Sequence, residues 1–584
     1  MADQDPRNNA SEGKGPVGAV MVVGGGVTGM QSALDLANSG QFVYLVESSP
    51  AIGGTMSQLD KTFPTNDCSL CIISPKLVEV GRHLNIELLP LSELRDVRGD
   101  PGRFTAEVLQ HPRFVDMDKC TSCGDCAAAC PVDLPNEYNQ GLSFNKAAHK
   151  KYDQAIPAAY SIRKGDPAPC RMTCPAGLNV QAYVQMVRHG RYERALEIIM
   201  DDLPLPGILG RICPRGCEDA CRRCEVDEPV SIRNLKRLAA DQFDARQVQV
   251  PCAPERPEKV AIIGSGPAGL SAAYHLARSG VKSTIFEALS QPGGMLRAGI
   301  PAHRLPREVL DQEIEVVTNL GAEIQTDTAL GRDVSIDGLF EQGYGAVYLA
   351  LGAHKGMDLG VPGERASGVR QGVDFLREVN LSGSSKVGRK VAVVGGGNVA
   401  VDVARSALRM GAEEVTIAYR RTRREMPALR EEIEAAECEG IHIAYLCAPQ
   451  QILDRDGEVS GIRLIQMELG EADSSGRRRP VPIPGSEFDL EVDQVFPAIG
   501  QRPDIGPIEN EEGLSFTRWA TTEVDSITYE TGRPGVFAGG DLQTGPWVAI
   551  GAVAAGREAA ESIVRYLDGA DLSAGREPLE QPAE

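Results

Sequence analysis

Three stretches of the chain repeat one local design, and this repeat constrains the fold more than any other feature. Each has a short apolar run rich in β-branched residues, a tight glycine turn, an amphipathic stretch and a second apolar run. That order predicts a βαβ unit, in which the helix N-terminus receives a pyrophosphate and the glycines let the backbone approach it. One such turn is weak support, but three in the same context predict an α/β fold with three dinucleotide-binding units. The residues concerned are Gly24, Gly26 and Gly29 in the first unit, Gly264, Gly266 and Gly269 in the second, and Gly395, Gly397 and Asn398 in the third.

The residue that ends the second strand of each unit indicates the ligand. Glu47 and Glu287 end the first two units, and an acid at that place binds ribose hydroxyls. The third unit ends instead in a tyrosine followed by Arg420 and Arg421, and arginine there can pair with a 2′-phosphate. The third unit is therefore predicted to bind NADP(H) in preference to NAD(H). The alternative is that the arginine run is only a solvated charged face.

Two further patterns favour FAD in the second unit. Gly293, Gly294 and Met295 follow Glu287 and provide a second glycine pair near the dinucleotide. Near the C-terminus, GVFAGGD precedes a helix of small residues and resembles the closing FAD motif of the pyridine nucleotide–disulfide oxidoreductase superfamily. The resemblance implies that Asp541, next to Gly540, contacts the ribityl–phosphate part of FAD. This half of the chain has no redox-active cysteine pair, so its flavin is not expected to reduce a thiol pair there.

A first run of cysteines has the spacing of a bacterial ferredoxin. Cys120, Cys123, Cys126 and Cys130, with a proline after the last, form the pattern that surrounds one [4Fe–4S] cluster. A zinc site is the alternative, but structural zinc usually takes two separated cysteine knuckles. The run therefore predicts an iron–sulfur cluster and one-electron chemistry.

A second cysteine region, at 165–240, reads as a small helical domain. With the glycine-turn units that follow, it resembles the small subunit of glutamate synthase, the large subunit of NADH-dependent ferredoxin:NADP oxidoreductase and the front of dihydropyrimidine dehydrogenase. The resemblance covers about 165–565, including GGMLRAGIPAHRLP and YRRTRREMPA. It implies FAD, NAD(P)(H) and [4Fe–4S] clusters in the helical domain. The cysteines available there are Cys170, Cys174, Cys213, Cys217, Cys221 and Cys224.

Those six cysteines fill one cubane, through Cys174, Cys213, Cys217 and one of Cys221 or Cys224. A second cubane there would need outside ligands, so the chain is expected to hold two to three clusters in all. Cys252, in a proline-rich linker, is equally well explained as a structural residue.

The front third resembles the flavoprotein component of heterodisulfide reductase, from about 18 to 165. The resemblance rests on the segment 53–83, GGTMSQLDKTFPTNDCSLCIISPKLVEVGRH, together with the ferredoxin quartet. The usual second half of that flavin domain is replaced here, so the first unit either holds its own FAD, which its intact glycines and Glu47 favour, or is a packing platform. Cys68 and Cys71 are predicted as cluster ligands, with a metal-free thiol pair as the alternative. Cys130 could also reach a cluster completed elsewhere, because the fourth cysteine does so in two-cluster ferredoxins.

The predicted fold class is thus α/β, with tandem Rossmann-like FAD and NAD(P) domains of the pyridine nucleotide–disulfide oxidoreductase type, preceded by a helical Fe–S domain, a ferredoxin-like Fe–S segment and a truncated N-terminal Rossmann-like unit. The predicted domains are a disordered tail at 1–15, a heterodisulfide-reductase-like βαβ unit at 16–112, a ferredoxin-like segment at 113–164, a helical Fe–S domain at 165–250, an FAD domain at 258–385 and 490–565, an NAD(P)-binding domain at 386–489 and a tail at 566–584.

Charge and hydropathy exclude several classes of function. The formal charge is −21, from 60 Lys and Arg against 81 Asp and Glu, which disfavours nucleic-acid binding. No apolar run approaches the ~20 residues that span a bilayer, and the start of the chain has no signal-peptide core. We therefore expect a soluble, cytoplasmic protein without membrane insertion, in which disulfides are disfavoured.

The expected function is that of an oxidoreductase component that passes electrons between NAD(P)H and [4Fe–4S] clusters by way of FAD, because FAD can exchange electrons in pairs or singly. No side chain is expected to act as acid or base. The expected partners are other redox subunits of a multi-subunit complex, or a ferredoxin. The alternatives are the small subunit of glutamate synthase and a non-catalytic electron-relay or scaffold subunit.

Overall fold

The structure is a computed structural model that describes residues 18–130, 132–164, 167–472 and 477–578. Within these ranges the chain forms two compact units, one ending at Pro167 and the other beginning at Ala168. The predicted tail at 1–15 lies outside the described residues, as does the last part of the predicted tail at 566–584.

The first unit is built on a three-stranded parallel sheet in the order β1–β2–β3. Two helices pack on this sheet, and their apolar side chains share a core with the strands. The elements are β1 (Ala19–Val23), α1 (Val27–Asn38), β2 (Phe42–Glu47), α2 (Ser69–Arg82) and β3 (Ile86–Pro90). The glycine turn between β1 and α1 ends the strand and starts the helix, as the sequence pattern predicts.

The rest of the first unit consists of short antiparallel pairs, β4 with β5, β6 with β7 and β8 with β9. The ferredoxin-like cysteines surround the single-turn helix α3. The elements are β4 (Ser92–Arg98), β5 (Thr105–Gln110), α3 (Asp125–Ala128), β6 (Asp133–Pro135), β7 (Phe144–Lys146), β8 (Ala148–His149) and β9 (Ser161–Ile162).

The second unit begins with six helices that carry the second set of cysteines. They are α4 (Pro169–Met172), α5 (Val180–Arg188), α6 (Tyr192–Met200), α7 (Pro206–Ile212), α8 (Gly216–Asp219) and α9 (Ile232–Gln242). The apolar faces of these helices pack into the same core as the following Rossmann-like domain. Glu313 of that domain is buried and accepts hydrogen bonds from the backbone amides of Gly207 and Ile208 at the start of α7. Burial raises the pKa of Glu313 to about 8, against the effect of those two amides.

The next elements form the first part of a larger Rossmann-like domain. They are β10 (Lys259–Ile263), α10 (Pro267–Arg278), β11 (Lys282–Phe286), α11 (Gly294–Ala298), α12 (Arg307–Asn319), β12 (Glu323–Gln325), α13 (Ile336–Glu341), β13 (Ala346–Leu349), β14 (Lys355–Gly356) and α14 (Gly372–Ser382).

A second Rossmann-like domain is then inserted. Its parallel sheet has the order β17–β16–β15–β22, and an antiparallel sheet β18–β19–β20, with β21 on β19, lies beside it. The elements are β15 (Lys390–Val394), α15 (Asn398–Arg409), β16 (Glu414–Tyr419), α16 (Arg430–Cys438), β17 (His442–Tyr445), β18 (Cys447–Arg455), β19 (Glu458–Ala472), β20 (Arg478–Pro482), β21 (Phe488–Leu490), β22 (Gln494–Pro497) and β23 (Gln501–Arg502).

The chain then returns to complete the first of these two domains. Strand β24 (Val536–Ala538) joins β13, which gives a five-stranded parallel sheet in the order β12–β11–β10–β13–β24. Helices α17 (Asp541–Thr544) and α18 (Ala549–Leu567) follow, and α18 packs along α10. The predicted α/β class with tandem Rossmann-like domains is confirmed.

The stretch after α18 differs in part from the predicted tail. Arg576 donates hydrogen bonds to Ser562 and to the carboxylate of Glu558, so these residues lie against the last helix. None of the helices in the described ranges combines the length and the apolar character that a bilayer crossing needs.

Candidate cofactor-binding sites

The three glycine turns have one backbone arrangement. In each, the first glycine has a left-handed φ and its amide donates to a carbonyl near the end of the neighbouring strand. The hydrogen bonds are Gly24 N to Val46 O at 2.8 Å, Gly264 N to Phe286 O at 2.8 Å and Gly395 N to Ala418 O at 3.0 Å. Glu47, Glu287 and Tyr419, which come next, are therefore structurally equivalent.

The last small residue of the first two fingerprints is required by close packing. A Cβ atom on Gly29 would lie 1.8 Å from the Gly24 carbonyl oxygen, and one on Gly269 would lie 2.0 Å from that of Gly264. Contacts that short leave no room for any side chain. The turns are thereby held so that the N-termini of α1 and α10 begin directly beneath them, as pyrophosphate binding needs.

The two predicted ribose-binding acids are fixed by backbone amides. Glu287 is buried and accepts from Ser265 N at 2.9 Å and Leu289 N at 2.8 Å. Glu47 accepts from Gly25 N at 2.7 Å and Ser49 N at 2.8 Å in the same way. Each carboxylate thus holds its glycine turn against the strand end.

A second glycine pair packs on the turn in both units. Gly294 has φ 51° and its Cβ would lie 2.7 Å from Gly266 Cα. Gly54 has φ 57° and its Cβ would lie 3.1 Å from Gly26 Cα. The pairs at 53–54 and 293–294 therefore close the same side of their turns.

One large cavity, of about 1220 Å³, lies along the second and third glycine turns. Its volume exceeds the ~300–1,000 Å³ of usual ligand pockets, as a site for two neighbouring dinucleotides requires. The predicted site residues that line it are Gly264, Gly266, Glu287, Gly294, Met295, Gly395, Gly397, Asn398, Arg420, Arg421 and Asp541. Gly269, Gly293 and Gly540 do not line the cavity, but each is next in sequence to a residue that does.

Among the acids that line this cavity, Asp541 has the pKa that departs most from its ordinary value. It starts α17 and accepts a hydrogen bond from Trp547 N at 3.2 Å. Burial raises its pKa to about 7, and the Trp547 amide only partly opposes this. A buried carboxyl in this state fits a hydroxyl-bearing ligand, which can both donate to it and accept from it.

Sequence reasoning missed three residues of the cavity. Asp402 lies one helical turn after Asn398, is ion-paired with Arg304, and has a raised pKa of about 6 because of burial. Trp547 follows Asp541 in the chain and borders the same space. Arg477 comes from the hairpin after β19. Helical spacing from Asn398 could have indicated Asp402, whereas no local pattern indicates Arg477.

Three of the four ferredoxin-like cysteines share one neighbour. Hydrogen bonds with the backbone at Tyr160 and Ser122 lower the pKa of Cys120, and Arg113 acts in the same direction. The thiols of Cys120, Cys123 and Cys126 all act electrostatically on the Tyr160 phenol. The lowered pKa of Cys120 favours its thiolate, which is the form that ligates a metal.

Cys130 has a different environment. Burial acts to raise its pKa, but hydrogen bonds with the backbone at Ala148, Val132 and Ala147 outweigh this, so the pKa is lowered. Its contacts are thus with the region of strand β8, whose partner β9 begins directly after Tyr160.

Five cysteines of the helical segment act on one another electrostatically. Burial raises the pKa of Cys217 to about 12, and Cys213 and Cys174 add to the shift, so these three thiols are neighbours. Burial also raises the pKa of Cys170, and Cys221 and Cys174 add to that shift. The Cys224 thiol donates to the Glu218 carbonyl at 3.5 Å.

In the described ranges no three His, Cys, Asp or Glu side chains converge on one point as ligands of a single ion would. The donor set nevertheless fits a cubane, because a [4Fe–4S] cluster takes each thiolate at a different iron, so its ligands are spread around the cluster.

Cys68 and Cys71 differ from the prediction that they are cluster ligands. They are joined by a disulfide at the N-terminus of α2, and bridged sulfurs are not thiolate ligands. The spacing of two residues between them suits both chemistries, so the sequence pattern could not distinguish them.

Comparison with known proteins identifies these regions. Residues 258–556 match the family described as pyridine nucleotide-disulphide oxidoreductase. Shorter matches are dihydropyrimidine dehydrogenase domain II, 4Fe-4S cluster, at 140–248, 4Fe-4S binding domain at 113–135, and FAD dependent oxidoreductase at 19–67. The chain therefore has FAD- and NADP-binding domains together with 4Fe–4S segments.

Three relatives are similar over about two thirds of the chain. The beta subunit of the NADP(+)-dependent formate dehydrogenase of Moorella thermoacetica is 47% identical over 68% of this chain and 60% of its own length. The beta subunit of the NADPH-Fe(3+) oxidoreductase of Geobacter sulfurreducens is 42% identical over 69% of this chain and 64% of its own. The small chain of the NADPH glutamate synthase of Escherichia coli is 35% identical over 68% of this chain and 88% of its own.

The present chain thus spans less than two thirds of the first two relatives and most of the third. The family match covers half of the chain, and the similarity to the third relative extends over nearly all of that protein. The chain belongs to the pyridine nucleotide–disulphide oxidoreductase family, in the group that includes the small chain of glutamate synthase.

Proposed function

We propose that the chain passes electrons between NADPH and [4Fe–4S] clusters by way of FAD, as a cytoplasmic component of a larger redox complex. The observation that carries this proposal is the single cavity shared by the second and third glycine turns. Ile212 and Pro214, which flank Cys213, line the same cavity. The two expected nucleotide sites therefore open into one cavity, and Cys213 of the helical segment lies beside that cavity.

The second unit is proposed to hold FAD. The N-terminus of α10 faces the pyrophosphate, Glu287 the ribose hydroxyls and Asp541 the ribityl–phosphate part. When bound, FAD supplies the exchange between paired and single electrons. The chain's own residues bind and orient it, and the apolar wall that includes Met295 and Trp547 excludes water.

The third unit is proposed to hold NADPH. The N-terminus of α15 faces its pyrophosphate, and Arg420 and Arg421 lie where the 2′-phosphate is expected. Arg304 ties this domain to the FAD domain through its ion pair with Asp402. That ion pair helps to keep the distance between the two nucleotide sites constant.

The clusters are proposed to be ligated by the two sets of cysteines. Cys174, Cys213 and Cys217, with Cys221 or Cys224, hold the cluster nearest the cavity. Cys120, Cys123, Cys126 and Cys130 hold another in the ferredoxin-like segment. The first unit, at 19–67, is proposed to bind a second FAD, because Glu47 and the glycines of its turn are intact.

The relatives support an electron-transfer component rather than a complete enzyme with its own substrate. Two of them are named as beta subunits, one of a formate dehydrogenase and one of an Fe(3+) oxidoreductase, and both names specify NADP(H). The proposed partners are accordingly another redox subunit or a ferredoxin.

The decisive experiment is rapid anaerobic mixing of the purified chain with NADPH. We expect bleaching of the flavin absorbance, followed by reduction of a viologen dye. Absence of bleaching with both NADPH and NADH would contradict the proposal and leave the non-catalytic relay. Iron, sulfide and flavin analysis of the same sample gives the number of each group.

A second candidate is the small subunit of a glutamate synthase, favoured by the extent of similarity to the Escherichia coli small chain. Co-purification with a glutaminase-bearing subunit would support it. That similarity covers 68% of this chain, so part of the chain has no counterpart in the small chain, which favours the first proposal.

A further inference from the structure

We propose that Arg477, which directly precedes β20 in the antiparallel hairpin of β19 and β20, forms part of the site for the 2′-phosphate of NADPH and so helps to select NADPH over NADH. The inference rests on the proposed NADPH site in the third unit. It names a residue far in sequence from the fingerprint that predicts that site.

The first support is position. Arg477 lines the cavity together with Tyr419, Arg420 and Arg421, at the end of β16. In the other two units the position of Tyr419 is occupied by Glu287 or Glu47, the predicted ribose-binding acids. The third unit therefore presents guanidinium groups next to the position at which the second presents a carboxylate.

The second support is that the hairpin is fastened to the strand end. Arg421 is buried and its Nε donates to the Arg478 carbonyl at 2.8 Å. Arg478 in turn donates to the carbonyls of Gly470, at 3.0 Å, and Leu469 on β19. Arg421 thus positions the hairpin, and Arg477, adjacent to the fastened residue, is held at the cavity wall.

The third support is electrostatic. The guanidinium groups of Arg421, Arg477 and Arg420 all act on the Tyr419 phenol, opposing the effect of burial on its pKa. The three positive charges therefore lie close to the same side chain, Tyr419. The Tyr419 hydroxyl donates to the Glu425 carbonyl at 2.7 Å and is also hydrogen-bonded with the Arg421 side chain.

The rest of the arginine run is directed elsewhere. Arg423 is ion-paired with Glu437 at 2.6 Å, and neither it nor Arg424 is among the residues that line the cavity. The phosphate site is thus formed by Arg420 and Arg477, from two separate segments that the hydrogen bond from Arg421 to the Arg478 carbonyl joins. A phosphate dianion suits two guanidinium groups, since each can donate two parallel hydrogen bonds.

The test compares Arg477→Gln with Arg479→Gln. Arg479 has the same charge on the same hairpin, is exposed and does not line the cavity. The probes are 2′,5′-ADP and 5′-AMP, which differ only in the 2′-phosphate, measured by calorimetry on the holoenzyme. Steady-state KM values for NADPH and NADH are measured with a viologen acceptor.

We expect Arg477→Gln to weaken 2′,5′-ADP binding by roughly tenfold or more, as loss of a charge-assisted hydrogen bond does, and to raise KM for NADPH by a similar factor. Binding of 5′-AMP and KM for NADH should stay unchanged. Arg479→Gln should match the wild type, and Arg477→Lys should fall between the wild type and Arg477→Gln.

The inference is overturned if Arg477→Gln leaves 2′,5′-ADP binding unchanged, weakens both probes equally, or behaves like Arg479→Gln. Failure of the proposed function is recognised separately. If NADPH does not bleach the flavin but 2′,5′-ADP binding still depends on Arg477, the site is retained and the electron-transfer proposal is lost.

Discussion

The first and second glycine-turn units can be compared residue by residue. Their acids, Glu47 and Glu287, each accept two backbone amides, and their second glycine pairs pack on the turn with nearly equal backbone angles. Around the expected pyrophosphate and ribose positions the two units are thus alike.

The units differ in what surrounds this local structure. The sheet of the first has three strands, and its β1 ends in Val23, which is 57% exposed. The sheet of the second has five, and β10 ends in Ile263, which is 2% exposed. Strands β13 and β24 and Asp541, all from later in the chain, complete the second site. A fingerprint therefore specifies the phosphate end of a site, while the flavin end depends on distant segments.

The largest expected effect is the loss of flavin when one glycine of a turn is replaced by alanine, and it should differ between the two units. Gly269→Ala places a Cβ 2.0 Å from the Gly264 carbonyl oxygen, which displaces the turn from α10. We expect loss of nearly all of the flavin that NADPH can bleach. The measurement is flavin content and NADPH-dependent bleaching of the anaerobically purified variant.

The matched variant is Gly29→Ala, with its Cβ 1.8 Å from the Gly24 carbonyl oxygen. It should leave the bleachable flavin intact. If the first unit holds its own FAD, total flavin falls from two to one per chain. Loss of the bleachable flavin in Gly29→Ala, with retention in Gly269→Ala, would reverse the assignment.

A smaller effect is expected from the two acids. Glu287→Ala removes the ribose contact and leaves the Ser265 and Leu289 amides without their carboxylate. Hydrogen bonds to charged groups contribute ~1.5–3 kcal/mol, so FAD should bind roughly 10- to 100-fold more weakly. Flavin release during dialysis measures this. Glu47→Ala should not change release of the bleachable flavin, and an equal loss in both variants would contradict the comparison.

Asp541, which has no counterpart in the first unit, should make the free energy of unfolding depend on pH. Burial raises the pKa of Asp541 to about 7 from an ordinary 3.8, so between these values the folded protein holds a proton that the unfolded chain lacks. The free energy of unfolding should therefore fall as pH rises through this window, by up to about 1.4 kcal/mol per pH unit from this group.

Asp541→Asn removes that dependence. Unfolding of flavin-free protein is followed between pH 5 and 7.5 for wild type and variant. The advantage of the wild type over the variant should shrink as pH rises. A constant difference across this range would show that Asp541 does not titrate there.

The sequence predicted those parts of the site that lie within one βαβ unit. The glycine turns and Glu287 are local patterns that backbone geometry fixes, whereas Asp541, from later in the chain, was predicted through the resemblance of its segment to a known FAD motif. Arg477 and the Arg304–Asp402 pair were not predicted, because each depends on contacts between segments far apart in the chain. The Cys68–Cys71 bridge was not predicted either, since the same spacing serves metal ligands and disulfides.

The smallest expected effect concerns a hydrogen bond that stabilises the first unit, whose sheet has no strands equivalent to β13 and β24. The Tyr152 hydroxyl is buried and donates to the Ile52 carbonyl at 2.6 Å, directly before the second glycine pair. Tyr152→Phe keeps the ring in the core and removes this bond. It should therefore destabilise the first unit by ~1 kcal/mol, which is about a fivefold increase in local opening. Hydrogen exchange should quicken by that factor in β2 and α2 and stay unchanged in β10 and β11, while NADPH-dependent bleaching keeps its wild-type rate. Faster exchange in β10 as well would mean that the two glycine-turn units unfold together, and the comparison between them would then describe one cooperative structure.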